Sequence, residues 1–292
     1  MPSPSTLPAR AAYFPRPEVQ TRAKEALCIG INDYPGTEND LAGCDNDARD
    51  WAAALQARGF KVRMLLDRAA TGRRMRQEIA ALVGRARKGD LVVVQYSGHG
   101  SVVPDTNGDE PDGADECLCP WDIASQGPLI DDELFALFSA RKPGVRVFMI
   151  SDSCHSGTVT RFEPISTPPV ICGSTPPRRT VRFLPPAVFL GRRIAERLRQ
   201  WKRRRAAEAA SRYAGLLLAA CQDNEYSYDA WFHGRPNGAF TYVALAALKR
   251  LPASATYHEW FERIRKALPS RQYPQSPNLF GPDGMKAWPV LT

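Results

Sequence analysis

The sequence predicts an α/β protein with a mostly parallel central sheet flanked by helices on both faces. Three observations carry this. Four short apolar, β-branched runs, at 26–31, 60–66, 91–96 and 145–150, suit strands buried on both faces. Stretches with apolar residues three and four apart separate them, as crossover helices require. At 292 residues, 43% hydrophobic and 24% charged, the chain can bury a large core as one big domain or one and a half.

Taken in order, residues 26–31 run into a turn at Asn32, Asp33, Tyr34, Pro35 and Gly36. A helix is expected over 45–58, with Ala48, Trp51, Ala52 and Leu55 on one face and Gly59 as its stop. After the strand at 60–66, Thr71 caps a helix reaching about residue 87, its inner face formed by Met75, Ile79, Leu82 and Val83. A short helix at 131–139 feeds the strand at 145–150, and the crossovers between parallel strands should be right-handed. Past residue 158 the pattern breaks. Pro164, Pro168, Pro169, Pro176, Pro177, Pro185 and Pro186 mark a linker, and 189–210 reads as a basic helix with Leu190, Ile194, Leu198 and Trp201 on one side. Residues 213–221 return to the sheet, helices follow at 238–251 and 255–268, and the tail after Pro269 is expected to be irregular. The expected division is a disordered leader (1–23), a larger catalytic part (24–160), a Pro-rich basic linker (161–211) and a smaller part (212–292) completing the same domain.

Two strands end in reactive side chains. The run at 91–96 passes directly into Ser97-Gly98-His99-Gly100, and the run at 145–150 into Ser151-Asp152-Ser153-Cys154-His155-Ser156-Gly157. Open α/β sheets keep their sites at the carboxyl ends of strands. A free Cys alone commonly just fills space, and a His between glycines can be a turn residue. On two similar strand ends, which face each other if the strands are neighbours, His99 and Cys154 read instead as a base and a nucleophile, because a thiol needs a partner to become thiolate at neutral pH. His155 is the rival base, but adjacent residues on an extended chain point apart.

The net charge of +8 is local in origin. Residues 178–212 hold twelve Arg and Lys against two Glu, so the rest of the chain is near neutral and slightly acidic. Seven scattered cysteines, at 28, 44, 117, 119, 154, 172 and 221, suggest free thiols in a reducing, cytoplasmic setting. Cys117-x-Cys119 lacks zinc-site spacing. No apolar run approaches the ~20 residues of a membrane span.

The blocks Tyr96 to Gly100, Asp152 to Gly157 and Ala219-Ala220-Cys221-Gln222-Asp223, in that order, resemble the caspase-like cysteine peptidases. With Gly43-Cys44-x-x-Asp47 and an acidic loop, the chain most resembles the bacterial, calcium-dependent, type I-like metacaspases. The resemblance spans roughly 24–160 and 211–280 and implies the caspase-like fold. It implies Cys154 as nucleophile, His99 as base and the N–H groups of Gly100 and Cys154 as oxyanion hole. It also implies a pocket floored by Asp152 and Asp47 and lined by Ser97 and Cys44, which accepts Arg or Lys. Paired carboxylates match a guanidinium bidentately.

Calcium is the implied cofactor. The segment 105–116 fails as an EF-hand, since Glu110 occupies the glycine position. The resemblance instead assigns the metal to Asp115, Asp131 and Asp132. It departs at a fourth position seven residues after Cys154, where Arg161 replaces an acid and Glu163 lies nearby. The expected activity is a calcium-activated endopeptidase cutting after Arg or Lys, favoured as a monomer, and self-cleaving within 178–205, where arginines crowd the linker. The alternatives are a caspase-like peptidase with another pocket preference, or a scaffold binding nucleic acid or an acidic membrane through the basic insertion.

Overall fold

A computed structural model describes residues 23–35, 38–104, 114–154, 180–191, 215–222 and 225–292. A six-stranded sheet organises the chain, in the order β12-β9-β7-β3-β1-β2. Its members are β1 (Lys24–Gly30), β2 (Lys61–Leu66), β3 (Leu91–Ser97), β7 (Arg146–Asp152), β9 (Leu216–Ala219) and β12 (Asn278–Phe280). All neighbours are parallel except β12, which runs antiparallel along β9. Strand alternation divides the core into two halves. Leu27, Ile29, Val92, Val94, Val147 and Met149 face one side, and Ala26, Cys28, Val93, Phe148 and Ile150 the other.

Helices cover both faces, as expected. Helix α1 (Cys44–Gln56) places Ala48, Trp51, Ala52 and Leu55 on the second half-core, together with α5 (Ala239–Lys249) and α6 (Tyr257–Arg265). On the opposite face lie α2 (Gly72–Arg85), through Met75, Ile79, Leu82 and Val83, and α4 (Asp131–Ser139), through Leu134 and Phe138. The Thr71 hydroxyl caps α2 by accepting from Arg74 N at 3.2 Å. A reciprocal Thr256–Glu259 capping box starts α6. A short α3 (Ile123–Gln126) precedes α4.

Two small antiparallel sheets were not foreseen. One joins β4 (Gly100–Pro104), β5 (Ala114–Leu118) and β6 (Leu129–Ile130); the other joins β8 (Thr180–Val181), β10 (Tyr228–Phe232) and β11 (Arg235–Gly238). The tail after Pro269 is more regular than expected, containing β12 and α7 (Asp283–Lys286). Three residues of strand carry no readable periodicity, and β12 exists because the β9 edge offers it partners. The leader to residue 22 and residues 192–210 of the basic helix lie outside the described residues; residues 186–188 form a single 3-10 turn. No helix among the described residues is long and apolar enough to cross a membrane.

Candidate active site

The central strands β3 and β7 pair residue for residue, with Ser97 opposite Asp152. His99 and Cys154, each two residues further on, therefore lie at adjacent strand ends, and both are buried. Gly100 lies so close to the Cys154 carbonyl that a β-carbon there would collide with it. That approach requires glycine.

The imidazole of His99 is held firmly. Its Nε2 meets the Asn39 carbonyl at 2.5 Å, its backbone N–H donates to Tyr34 Oη at 2.8 Å, and the Tyr34 ring packs on it at 4.7 Å. A carbonyl can only accept, so Nε2 carries the proton and Nδ1 keeps its lone pair. Nδ1 has no hydrogen-bond partner among the described residues. Burial lowers the imidazole to about 4, against the pull of the Asn39 carbonyl, so the ring is neutral at pH 7. The Cys154 thiol is turned elsewhere: Sγ accepts from Ser227 N at 2.7 Å and donates to Ser227 O at 3.3 Å. Beneath it lies Cys221, whose thiol is raised first by its hydrogen bond with Cys154 and then by burial. His155 lies outside the described residues.

Beside this pair stands a pocket of carboxylates occupied by the chain's own Arg182, which is fully buried. Its Nη2 meets Asp47 Oδ2 at 2.7 Å and Asp229 Oδ1 at 2.8 Å, and its Nη1 lies 3.2 Å from Asp152 Oδ1. Each acid is supported in turn. Asp47 accepts from Gly238 N and Asn237 Nδ2, Asp152 from Ser227 Oγ and from Thr241 N and Oγ1, and Asp229 from Ala42 N and Gly43 N. Burial lifts Asp47 to about 7, opposed by Arg182 and reinforced by Asp152. Burial also works against the guanidinium charge, but Asp152, Cys44, Asp47 and Asp229 together hold Arg182 well above its ordinary range. Cys44 opens α1 and is pushed well up by burial, with Arg182 the next influence on it. Ser97 Oγ accepts from Gln95 Nε2 at 2.8 Å, and Ser97 stands opposite Asp152 across the paired strands.

The backbone of the occupying segment is equally well held. The Arg182 carbonyl accepts from Gly100 N at 3.0 Å and from Cys154 N at 3.2 Å. On its amino side β8 pairs antiparallel with β10, and Arg182 N donates to Ser227 O at 3.0 Å. On its carboxyl side Leu184 N donates to Gly100 O at 2.9 Å. In sequence, Arg182 stands among the arginines of the expected Pro-rich basic linker, where a solvated side chain is the expectation. The structure corrects this, because the acid-lined pocket and two edge ladders give the guanidinium and backbone better partners than water.

Sequence reasoning also missed Asp229, Ser227 and Thr241. Asp229 had one signal: an acid between Tyr228 and Ala230, in a segment otherwise fit for burial, is an isolated charge that must be paired. The expected metal ligands separate from this site. The β5–β6 pairing of Cys117 with Ile130 brings Asp115 and the pair Asp131-Asp132 to one end of the small sheet. No three His, Cys, Asp or Glu side chains among the described residues converge as a metal cluster. The remaining acids of 105–113, together with Arg161 and Glu163, lie outside the described residues.

The profile of the caspase domain matches residues 23–283. Metacaspase-1 of Cryptococcus neoformans is 33% identical over 287 residues, covering 89% of this chain and 62% of that protein. Metacaspase-3 of Arabidopsis thaliana is 32% identical over 246 residues, covering 80% of this chain and 62% of its own length. The chain thus spans about three fifths of these relatives. Among solved structures, a protein from Geobacter sulfurreducens aligns with a TM-score of 0.70 and 34% identity, over 91% of this chain and 98% of that one. Caspase-1 from Spodoptera frugiperda aligns with a TM-score of 0.57 at 13% identity, over 93% and 94% respectively, which is a likeness of fold.

Proposed function

The chain belongs to the caspase-domain family, with metacaspases among its relatives, and from that premise we propose that it is a cysteine endopeptidase cutting after Arg or Lys and processing itself at the Arg182–Phe183 bond. The observation that carries this reading is the seating of Arg182. Its guanidinium lies among three carboxylates while its carbonyl oxygen accepts from the N–H groups of Gly100 and Cys154. An arginine held at both ends in this way has the position of a substrate residue preceding the scissile bond.

The chemistry follows from the same atoms. Rotation of the Cys154 side chain away from Ser227 brings Sγ to the Arg182 carbonyl carbon, and His99 Nδ1 takes the thiol proton. As the Sγ–C bond forms, the carbonyl oxygen becomes an oxyanion and draws closer to the two N–H groups; each such donor is commonly worth ~10²–10³ in rate. The C–N bond breaks as the imidazolium passes its proton to the Phe183 nitrogen, leaving a thioester. Water then attacks the thioester carbon, giving one proton to Nδ1; the Sγ–C bond breaks, Sγ takes that proton from Nδ1, and the new Arg182 carboxyl group loses its own proton to solvent. Specificity comes from the pocket: a residue without a cation would leave buried carboxylates unpaired, whereas Arg satisfies several at once and Lys fewer.

Asp115, Asp131 and Asp132 would hold the calcium that the family resemblance implies, which would act as an activator outside the dyad; among the described residues these side chains do not converge as a metal cluster. Six free cysteines among the described residues support a reducing, cytoplasmic setting. Cover of the β9 edge by β12 supports a monomer. To test the reading, purified protein and its Cys154→Ala variant are incubated with calcium and the new termini sequenced. Wild type should yield a fragment beginning at Phe183, and the variant should stay whole. An intact wild type, or the same cut in the variant, refutes the proposal.

A further inference from the structure

The chain is gripped as closely after the Arg182–Phe183 bond as before it. Gly100 serves both sides: its N–H holds the Arg182 carbonyl, and its own carbonyl accepts from Leu184 N at 2.9 Å. The next residue, the buried Ser101, donates from Oγ to the Leu184 carbonyl at 2.6 Å. Leu184 is 0% exposed and belongs to the apolar half-core beneath α2 and α4. Phe183 bridges Gly100 in parallel register, and its ring lies 6.4 Å from that of Tyr226. Successive side chains of an extended segment point to opposite faces, so these two enter different surroundings.

We propose that residues 183 and 184 fill two subsites for the carboxyl side of a substrate. The enzyme then selects peptides in which arginine is followed by an aromatic residue and then by leucine, with Ser101 fixing the register. This rests on the reading of the site as a peptidase cutting after Arg. Self-cleavage itself opens these subsites. It breaks the backbone tie between Arg182 and Phe183, so that residues 183 and 184 are held only by the contacts above and a substrate can compete for the same two places. The second subsite carries the larger selectivity because it is fully enclosed. Exchanging Leu for Ala in such an apolar site is worth ~10–200-fold. Asp is worse, since its charge would be buried unpaired.

The test uses self-processed enzyme and peptides copying residues 180–187, with Leu, Ala or Asp at the position of Leu184. A Thr-Val-Arg aminocoumarin amide, which has no residues beyond the bond, serves as reference. Product chromatography should show kcat/KM falling ~10–200-fold from Leu to Ala and further for Asp. Ser101→Ala should raise KM for the Leu peptide ~10-fold with kcat kept, and Ser101→Thr should restore it. Equal rates on the three peptides, with the amide cut, overturn the inference and leave the peptidase reading standing. An uncut amide overturns both.

Discussion

Replacing Arg182 by glutamine tests the seated guanidinium without relying on catalysis. Arg182 contacts Asp47, Asp152 and Asp229, all buried, and is itself fully buried. Removing one side of a buried, hydrogen-bonded ion pair costs ~3–5 kcal/mol, because the remaining charges lose their counterion. The loss should depend on pH. Burial already lifts Asp47 from its ordinary 3.8 to about 7 even with Arg182 opposing it, so without the cation it rises further. A carboxylate raised in the folded state binds more protons there than in the unfolded chain. Its destabilising effect is therefore absent below ~4, the unfolded value, and grows as pH rises to and through 7. The assay is urea denaturation of Cys154→Ala and of Cys154→Ala/Arg182→Gln, at pH 5.5 and pH 8, the first substitution preventing cleavage. The expected difference is ~3–5 kcal/mol at pH 8 and clearly smaller at pH 5.5. A difference below ~1 kcal/mol at pH 8, the size of an exposed pair, would mean that the guanidinium is not seated in the pocket.

Three further outcomes follow from the same site. Asp229→Asn and Asp152→Asn should each lower kcat/KM for Arg peptides by ~10²-fold or more, and wild type should prefer Arg over Asp by ~10⁴ or more; unchanged Arg cleavage in Asp229→Asn would remove that residue from the pocket. In processed enzyme, whose vacant pocket has lost the opposing Arg182 guanidinium, kcat/KM for Arg peptides should rise with pH on a limb above 7 as Asp47 ionises, and Asp47→Asn should abolish that limb, leaving none from His99, which burial lowers to about 4. Self-cleavage should stop in excess chelator and return with calcium at ~10⁻⁴–10⁻³ M, the weak end of protein calcium sites; full activity under chelation would show that calcium is not the switch.

What the sequence by itself determined was whatever repeats over a few residues or sits at a strand end. Uniform apolar runs at 91–96 and 145–150 specify strands buried on both faces, and the three-and-four spacing of Ala48, Trp51 and Leu55 specifies the inward face of α1. Parallel strands present their carboxyl ends together, so the polar residues after both runs lie along one edge of the sheet; the strand order that makes β3 and β7 neighbours is what sets His99 beside Cys154 and Ser97 opposite Asp152. Tertiary structure decided what depends on contacts distant along the chain. Asp47 and Asp229 reach one pocket from α1 and β10, and nothing local in either segment announces the other. The Asn39 carbonyl that orients His99 lies on a loop, sixty residues away in sequence. Arg182 looks in sequence like its basic, solvated neighbours. Only the folded pocket, where three buried carboxylates lack a cation of their own, distinguishes it, because the cost of burying a charge is set by what surrounds it.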